Sequence, residues 1–299
     1  MFDVIGVGAN SVDYVYVLPQ FPSPDSASAK LRIAHYTTSC GGQTATTLCT
    51  CAAMGLSTSY IGSTGNDDAG QLMRDALADR GVDISQSVES DGANAFAVIL
   101  LDERQGERVV LWERPRGLDL APGDLDPDVV CDTRLLHVDD VDIDTAIRAA
   151  SMARAAGIPV TSDIEQADER TGELVAAVTI PIFAEHVLEP LTGEQDFERA
   201  LRKLRQRHSG MLCVTLGSRG ALLLDGDELY RQPAFSMSIT DTTGAGDVFR
   251  GAFIAALLRG DAPGDILRFA NVAAGISCSR LGAIASVPTL AETEALAGL

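Results

Sequence analysis

Asp241-Thr242-Thr243-Gly244-Ala245-Gly246-Asp247-Val248-Phe249-Arg250-Gly251-Ala252-Phe253 reads as a loop that turns directly into a helix: a Thr-Thr pair, a Gly-Ala-Gly step, then helix-prone residues as far as Leu258. The start of such a helix leaves backbone N–H groups without intrahelical partners and adds the positive end of the helix dipole. It therefore attracts anions, phosphate above all. Asp247 falls in the first turn, where a carboxylate reads as a dipole partner or cap. Two glycines that allow close backbone approach give it a second reading, a base beside an anion hole.

The 299 residues suffice for one large α/β domain or two smaller ones, and a 46% hydrophobic content can bury a core. Forty-two acidic against 23 basic residues give a formal charge of −19. That argues against nucleic acid or an anionic membrane surface as partner, because both need clustered Lys and Arg. A phosphate donor meets an unfavourable overall field, which a helix terminus or a bound cation must offset locally. The start, Met1 to Gly8, lacks a basic region followed by a long apolar segment, and no stretch approaches the roughly 18 to 20 apolar residues of a membrane span. A cytoplasmic location is expected. Cys40, Cys49, Cys51, Cys131, Cys213 and Cys278 form no C-x-x-C pair, have no His at metal-ligand spacing, and are expected to be reduced and buried.

Outward from the opening stretch, the chain alternates strands and helices. Asp3 to Val7 is a first strand running into the loop Gly8-Ala9-Asn10-Ser11, which lacks the third glycine of a dinucleotide-binding turn. Val12 to Leu18 is a half-exposed strand; Gln43 to Met54, opened by Gly41-Gly42, is a small-residue helix able to pack closely; Ser59 to Gly62 and Asp67 to Arg80 continue the β/α rhythm. The rhythm predicts a parallel sheet with helices on its faces. Ala95–Leu101 and Arg108–Trp112, joined by the polar turn 102–107, form a hairpin that with Val12–Leu18 makes a small sheet beside a central site, a candidate lid or dimer surface. One domain over residues 1–299 is expected, with lid strands from about 11–36 and 92–114. Asp140 and Asp163 follow later strands, at the carboxyl edge where ligands collect, and each reads as a site acid or a helix cap. His137 lies mid-strand and reads as structural. Met211 to Leu216 ends in the flexible loop Gly217-Ser218-Arg219-Gly220 at the same edge, and 221–224 and 228–231 form a second hairpin.

Four segments in this order, Gly8-x-Asn10-x-x-Asp13, Gly41-Gly42, Thr215 to Gly220 and Asp241 to Asp247, resemble the ribokinase-like (PfkB-type) carbohydrate kinases along nearly the whole chain. The resemblance implies a three-layer α/β sandwich with a central mostly parallel sheet, helices on both faces and a small β-sheet lid. It implies an ATP- and Mg²⁺-dependent kinase in which Asp247 deprotonates a substrate hydroxyl, while the amides of Ala245, Gly246 and Asp247, in the Gly244-Ala245-Gly246-Asp247 motif, stabilise the transferred phosphoryl group. Thr215, Gly217, Ser218, Gly220 and Asn271 would line the nucleotide site. Asn10, Asp13, Gly41, Gly42 and Thr46, with Asp140, would hold the sugar, and Asp241, Thr243, Ser277, Gly282 and Ser286 match a monovalent-cation site that would take K⁺. The family's Asn-x-x-Glu motif for Mg²⁺ is replaced by Ala184 and Val187, which leaves Glu185 and Glu189 as substitutes. Phe183-Ala184-Glu185 is similar to the ketohexokinase and sulfofructose kinase branch. In the lid, Arg108, Trp112, Arg114 and Arg116 read either as groups reaching an anionic or bulky substrate or, for the arginines, as solvated surface charge. The expected partners are a small-molecule sugar and ATP, with no nucleic acid and no membrane, and a homodimer through the lid. A nucleoside kinase or a non-catalytic sugar- or nucleotide-binding relative are the alternative readings.

Overall fold

Apolar runs too short for buried helices become parallel strands here, and the small-residue and amphipathic segments between them become the covering helices. The structure, a computed structural model, describes residues 1–24, 29–104 and 108–298. Among these residues the main sheet has nine strands: β1 (Phe2–Val7), β4 (Thr58–Ile61), β6 (Val82–Asp83), β10 (Thr133–Val138), β11 (Val160–Ile164), β12 (Ile180–Ala184), β13 (Leu212–Thr215), β14 (Ala221–Asp225) and β15 (Glu228–Gln232). Their order is β15-β14-β13-β12-β11-β10-β1-β4-β6. Every pairing from β6 to β13 is parallel, and the hairpin β14–β15 closes the far edge antiparallel.

Side chains alternate across the sheet, so each strand feeds two cores. On β13, Leu212 and Val214 join a cluster with α4 (Ile143–Ala155), α5 (Thr171–Ala177), α6 (Glu185–Thr192) and α7 (Phe197–Arg205). Cys213 points the other way, into a cluster with α8 (Ala245–Arg259) and α9 (Pro263–Cys278), beside which α1 (Gln43–Ala53) and α2 (Asp68–Asp79) pack over β1 and β4. The short α3 (Pro127–Val130) and the terminal α10 (Leu290–Ala297) complete the helices. His137, buried in β10, bonds Thr161 Oγ1 through Nδ1 at 3.0 Å, and burial, reinforced by Arg250, pushes its pKa down to about 3. It is a neutral core residue. All six thiols are free; Cys131 and Cys278 are half-buried instead of buried, because they sit at element ends.

A separate four-stranded sheet has the order β3-β2-β8-β9, from β2 (Ser11–Leu18), β3 (His35–Gly41), β8 (Phe96–Asp102) and β9 (Arg108–Glu113). The strand after β2 runs on to Gly41, past the expected limit near 36, because Ser11 to Val17 pair along its whole length. Residues 105–107 of the expected turn lie outside the described residues. Two short strands, β5 (Ser63–Gly65) and β7 (Val88–Ser90), pair on their own. Among the described residues no helix is long and apolar enough to cross a membrane.

Candidate active site

The carboxyl ends of the parallel strands, the first turn of α8 and the small sheet meet at a cleft of about 250 Å³. Gly244, Ala245, Gly246 and Asp247 line it from α8; Asp13, Ala97, Ile99, Arg108 and Val110 line it from the small sheet; Gly42, Gln43 and Glu165 complete the wall. Local sequence explains how the parts come so close. Gly42 has φ +97°, and a Cβ there would lie 2.3 Å from the Asn10 Cα, so only glycine lets α1 begin against the β1–β2 turn. The small side chains of α1 then admit α8: Thr47 Oγ1 donates to the Asp247 carbonyl at 3.2 Å, and the Cys51 thiol reaches the Gly251 carbonyl at 3.5 Å.

Asp247 is buried at the cleft floor. Burial, followed by the nearby Glu165 charge, pushes its pKa up to about 8, while Arg250 opposes the shift. One helical turn on, Arg250 is 1% exposed and its Nη2 lies 2.5 Å from Oδ1 of Asp163, which is 0% exposed. This buried ion pair sits directly behind Asp247. Carboxylate oxygens of Asp163, Glu165 and Asp247 lie within 4.8 Å of one another, with the Arg250 guanidinium as their counter-charge. A Cβ on Gly246 would approach Arg250 Nη1 to 2.7 Å. The ion pair holds that guanidinium in place, so Gly246→Ala must displace the amide that faces the cleft. We expect kcat to fall about 100-fold with the fold retained, measured by steady-state kinetics alongside circular dichroism; unchanged kcat would contradict the arrangement.

The other expected site residues divide. Asp13 faces the cleft, its Oδ1 accepting from Ser11 Oγ at 3.0 Å, and burial pushes its pKa up to about 6. Gly41 ends β3 opposite Ser11. Thr46 is buried within α1 with no hydrogen-bond partner for its hydroxyl, and does not line the cleft. Asn10 does not reach the cleft either: its amide donates to Tyr60 OH at 2.9 Å and to the Ser63 carbonyl at 2.6 Å, and accepts from Asn94 Nδ2 at 3.0 Å. Both its N–H groups and its oxygen are engaged in tying the β1–β2 turn to neighbouring loops. Asp140 binds the backbone N–H groups of Glu165 and Gln166 at 2.8 and 2.7 Å, so it positions Glu165. Its neighbour Asp139, fully buried, accepts from Ala9 N and Thr44 Oγ1, both at 2.7 Å.

At the loop expected to hold the nucleotide, Gly217, Ser218 and Arg219 form an exposed 3₁₀ turn closed by Gly220, and Thr215 Oγ1 donates to the Phe183 carbonyl at 3.3 Å. Asn271, on α9, donates from Nδ2 to the Leu267 carbonyl at 2.9 Å. For the cation set, Asp241 accepts from Thr243 N and Oγ1 at 2.9 and 2.7 Å and from Gly282 N at 2.9 Å, which draws three of the five residues together. Ser277 and Ser286 donate to the Ala274 and Ala283 carbonyls, within their own short turns. The two acids expected to stand in for the missing magnesium motif are engaged elsewhere: Glu185 pairs with Arg219, and Glu189 accepts from Gln195 Nε2 at 3.0 Å. Glu165 is the carboxylate beside Asp247. Sequence reasoning missed Glu165, Gln43 and Arg250. The one available signal was Arg250, the sole cation in an otherwise apolar run from Val248 to Leu258.

A helix terminus suited to phosphate, with a buried acid in its first turn and a second acid across the cleft, meets the needs of a phosphotransferase. The model of the pfkB family carbohydrate kinases matches residues 2–290, and the chain belongs to that family. It is 26% identical to the ribokinase of Haemophilus influenzae over 96% of this chain and 95% of that one. A ribokinase-like protein from Agrobacterium tumefaciens superposes with a TM-score of 0.92 at 26% identity, covering 99% of this chain and 97% of its own. The Arabidopsis thaliana ribokinase, solved with ribose and ATP, shares the fold at a TM-score of 0.83 and 24% identity, covering 100% and 99% of the two chains.

Proposed function

We propose that this kinase transfers the γ-phosphoryl group of ATP in line to a hydroxymethyl group of a sugar or sugar derivative, with Asp247 as general base. The observation that carries the reading is the junction of Asp247 with the Gly244–Gly246 backbone at one helix terminus, in the same cleft as Asp13. Asp13 would hold substrate hydroxyls, the terminus would hold the transferred phosphoryl group, and the Thr215–Gly220 loop with Asn271 would hold the nucleotide. Enclosure by the small sheet acting as a lid would exclude water from the reaction. The whole chain would act as one domain with its lid.

Mg²⁺ would neutralise charge on the ATP phosphates. With Glu185 and Glu189 engaged, Glu165 is the residue that would help hold it. K⁺ would sit among Asp241, Thr243, Ser277, Gly282 and Ser286. Because Asp241 already ties Thr243 and Gly282 together, such an ion would reinforce a self-supporting loop, and exchanging K⁺ for Na⁺ is expected to have only a small effect on kcat. The outermost strand of the small sheet, β9, is exposed along its length, with Trp112 at 71%. A second subunit would cover that edge in a homodimer, and the free thiols suit a cytoplasmic setting.

The test is ADP release with hexoses, pentoses, keto-deoxy acids and nucleosides as acceptors. Turnover of a carbohydrate sustains the reading, turnover of nucleosides alone replaces it by a nucleoside kinase, and binding without any turnover makes the protein a sensor.

A further inference from the structure

The small sheet brings one cation to the cleft. Arg108, the first residue of β9, donates from Nη1 to Thr242 Oγ1 at 2.8 Å and lies 3.3 Å from Thr243 Oγ1, the two hydroxyls just before Gly244. Around it on the lid side the wall is apolar, formed by Ala97, Ile99 and Val110. Among the described residues no carboxylate lies within ion-pairing distance of its guanidinium, in a chain with 42 acids for 23 bases. The other lid arginines differ. Arg114 is committed to Asp119 and Asp142 at 2.6 and 2.7 Å and to the Leu118 carbonyl, and Arg104 turns away to Gln20.

A guanidinium presents five donors in a planar fork suited to a carboxylate or phosphate, and two neutral hydroxyls use little of it. Every other charged group lining this cleft, Asp13, Glu165 and Asp247, is an acid. Asp13 suffices to accept from the hydroxyls of a neutral sugar, which would give Arg108 nothing it lacks. An anionic group would replace hydrogen bonds to neutral hydroxyls by bonds in which both donor and acceptor are charged.

We propose that Arg108 makes this kinase selective for an anionic acceptor: a polyol bearing a carboxylate or phosphate, which takes the guanidinium from Thr242 and Thr243 while a distant hydroxymethyl group faces Asp247. This rests on the reading of Asp247 as the base.

The experiment compares neutral and anionic partners of equal carbon skeleton, such as glucose with gluconate and fructose with fructose 1-phosphate, in wild type, Arg108→Gln and Arg108→Lys. In wild type an anionic member of the set should exceed its neutral counterpart in kcat/KM. Arg108→Gln should raise KM for that anion about 10- to 100-fold, with Arg108→Lys intermediate and KM for ATP little changed. A rise in KM for ATP instead would assign the guanidinium to the donor phosphates and overturn the proposal, as would equal losses for neutral and anionic acceptors. Calorimetric titration of the same compounds into Asp247→Asn and Asp247→Asn/Arg108→Gln keeps the test independent of turnover. Preferential binding of an anion that vanishes with Arg108 supports the proposal even if the assignment of the base fails; absence of any anion preference overturns it even if the enzyme is active.

Discussion

Asp247→Asn should lower kcat by about 10²- to 10⁴-fold, the range for loss of a positioned general base, while making the ligand-free protein more heat-stable at alkaline pH. Both effects have one cause. The carboxyl of Asp247 is buried beside Glu165, and its pKa is pushed up from 3.8 to about 8. The folded state therefore keeps a proton that the unfolded chain releases between these values. Stability credited to this group is fully present below pH 3.8, is lost as pH rises through about 8, and stays lost above it. Asparagine is neutral throughout, so at pH 8.5 or higher the variant should melt roughly 2–6 °C above wild type. Differential scanning fluorimetry across pH checks this. Wild-type-like turnover would remove Asp247 from the chemistry, and a lower melting temperature at high pH would mean that its charge is not strained. In the wild type, kcat/KM should rise with pH up to about 8, because it reports the base in the free enzyme.

Arg250→Met should destabilise the protein by about 3–5 kcal/mol, the usual consequence of stranding one member of a buried ion pair. Arg250 and Asp163 are 1% and 0% exposed and have each other at 2.5 Å. Removing the guanidinium leaves Asp163 buried among Glu165, Asp247 and Asp140 with its counter-charge gone, and burial already drives the Asp163 pKa upward. Adding Asp163→Asn to Arg250→Met should recover a large part of the loss, since a neutral amide is far cheaper to bury than a carboxylate. Urea unfolding of the two single variants and the double variant gives the coupling energy. If the double variant is less stable than Arg250→Met alone, the pair acts through packing and not through charge.

Both experiments probe one compromise. The proposed base, which would have to take a proton near neutral pH, is kept in a site where its charged form is disfavoured, and a buried arginine one turn away limits how far that goes. The glycine at 246 belongs to the same compromise, because it leaves the space that Nη1 of Arg250 occupies.

The sequence by itself determined whatever depends on neighbours along the chain. The glycines before α8 and the apolar run after it specify a helix N-terminus; apolar runs of four to six residues between helical patterns specify a parallel sheet; the alternation in 95–112 specifies a hairpin outside it. These follow from backbone sterics and side-chain period, which are local. Which polar groups would face the cleft was not local. Asn10 was turned inward because Tyr60, Ser63 and Asn94 arrive from three other loops to take its hydrogen bonds, whereas Asp13, three residues on, projects from β2 into the cleft. Glu185 was taken by Arg219, and Glu165 was placed beside Asp247 by the grip of Asp140 on its backbone. Tertiary structure decided these assignments because a polar group settles with the partner that spares it desolvation, and partners distant in sequence become available only once the sheet is assembled.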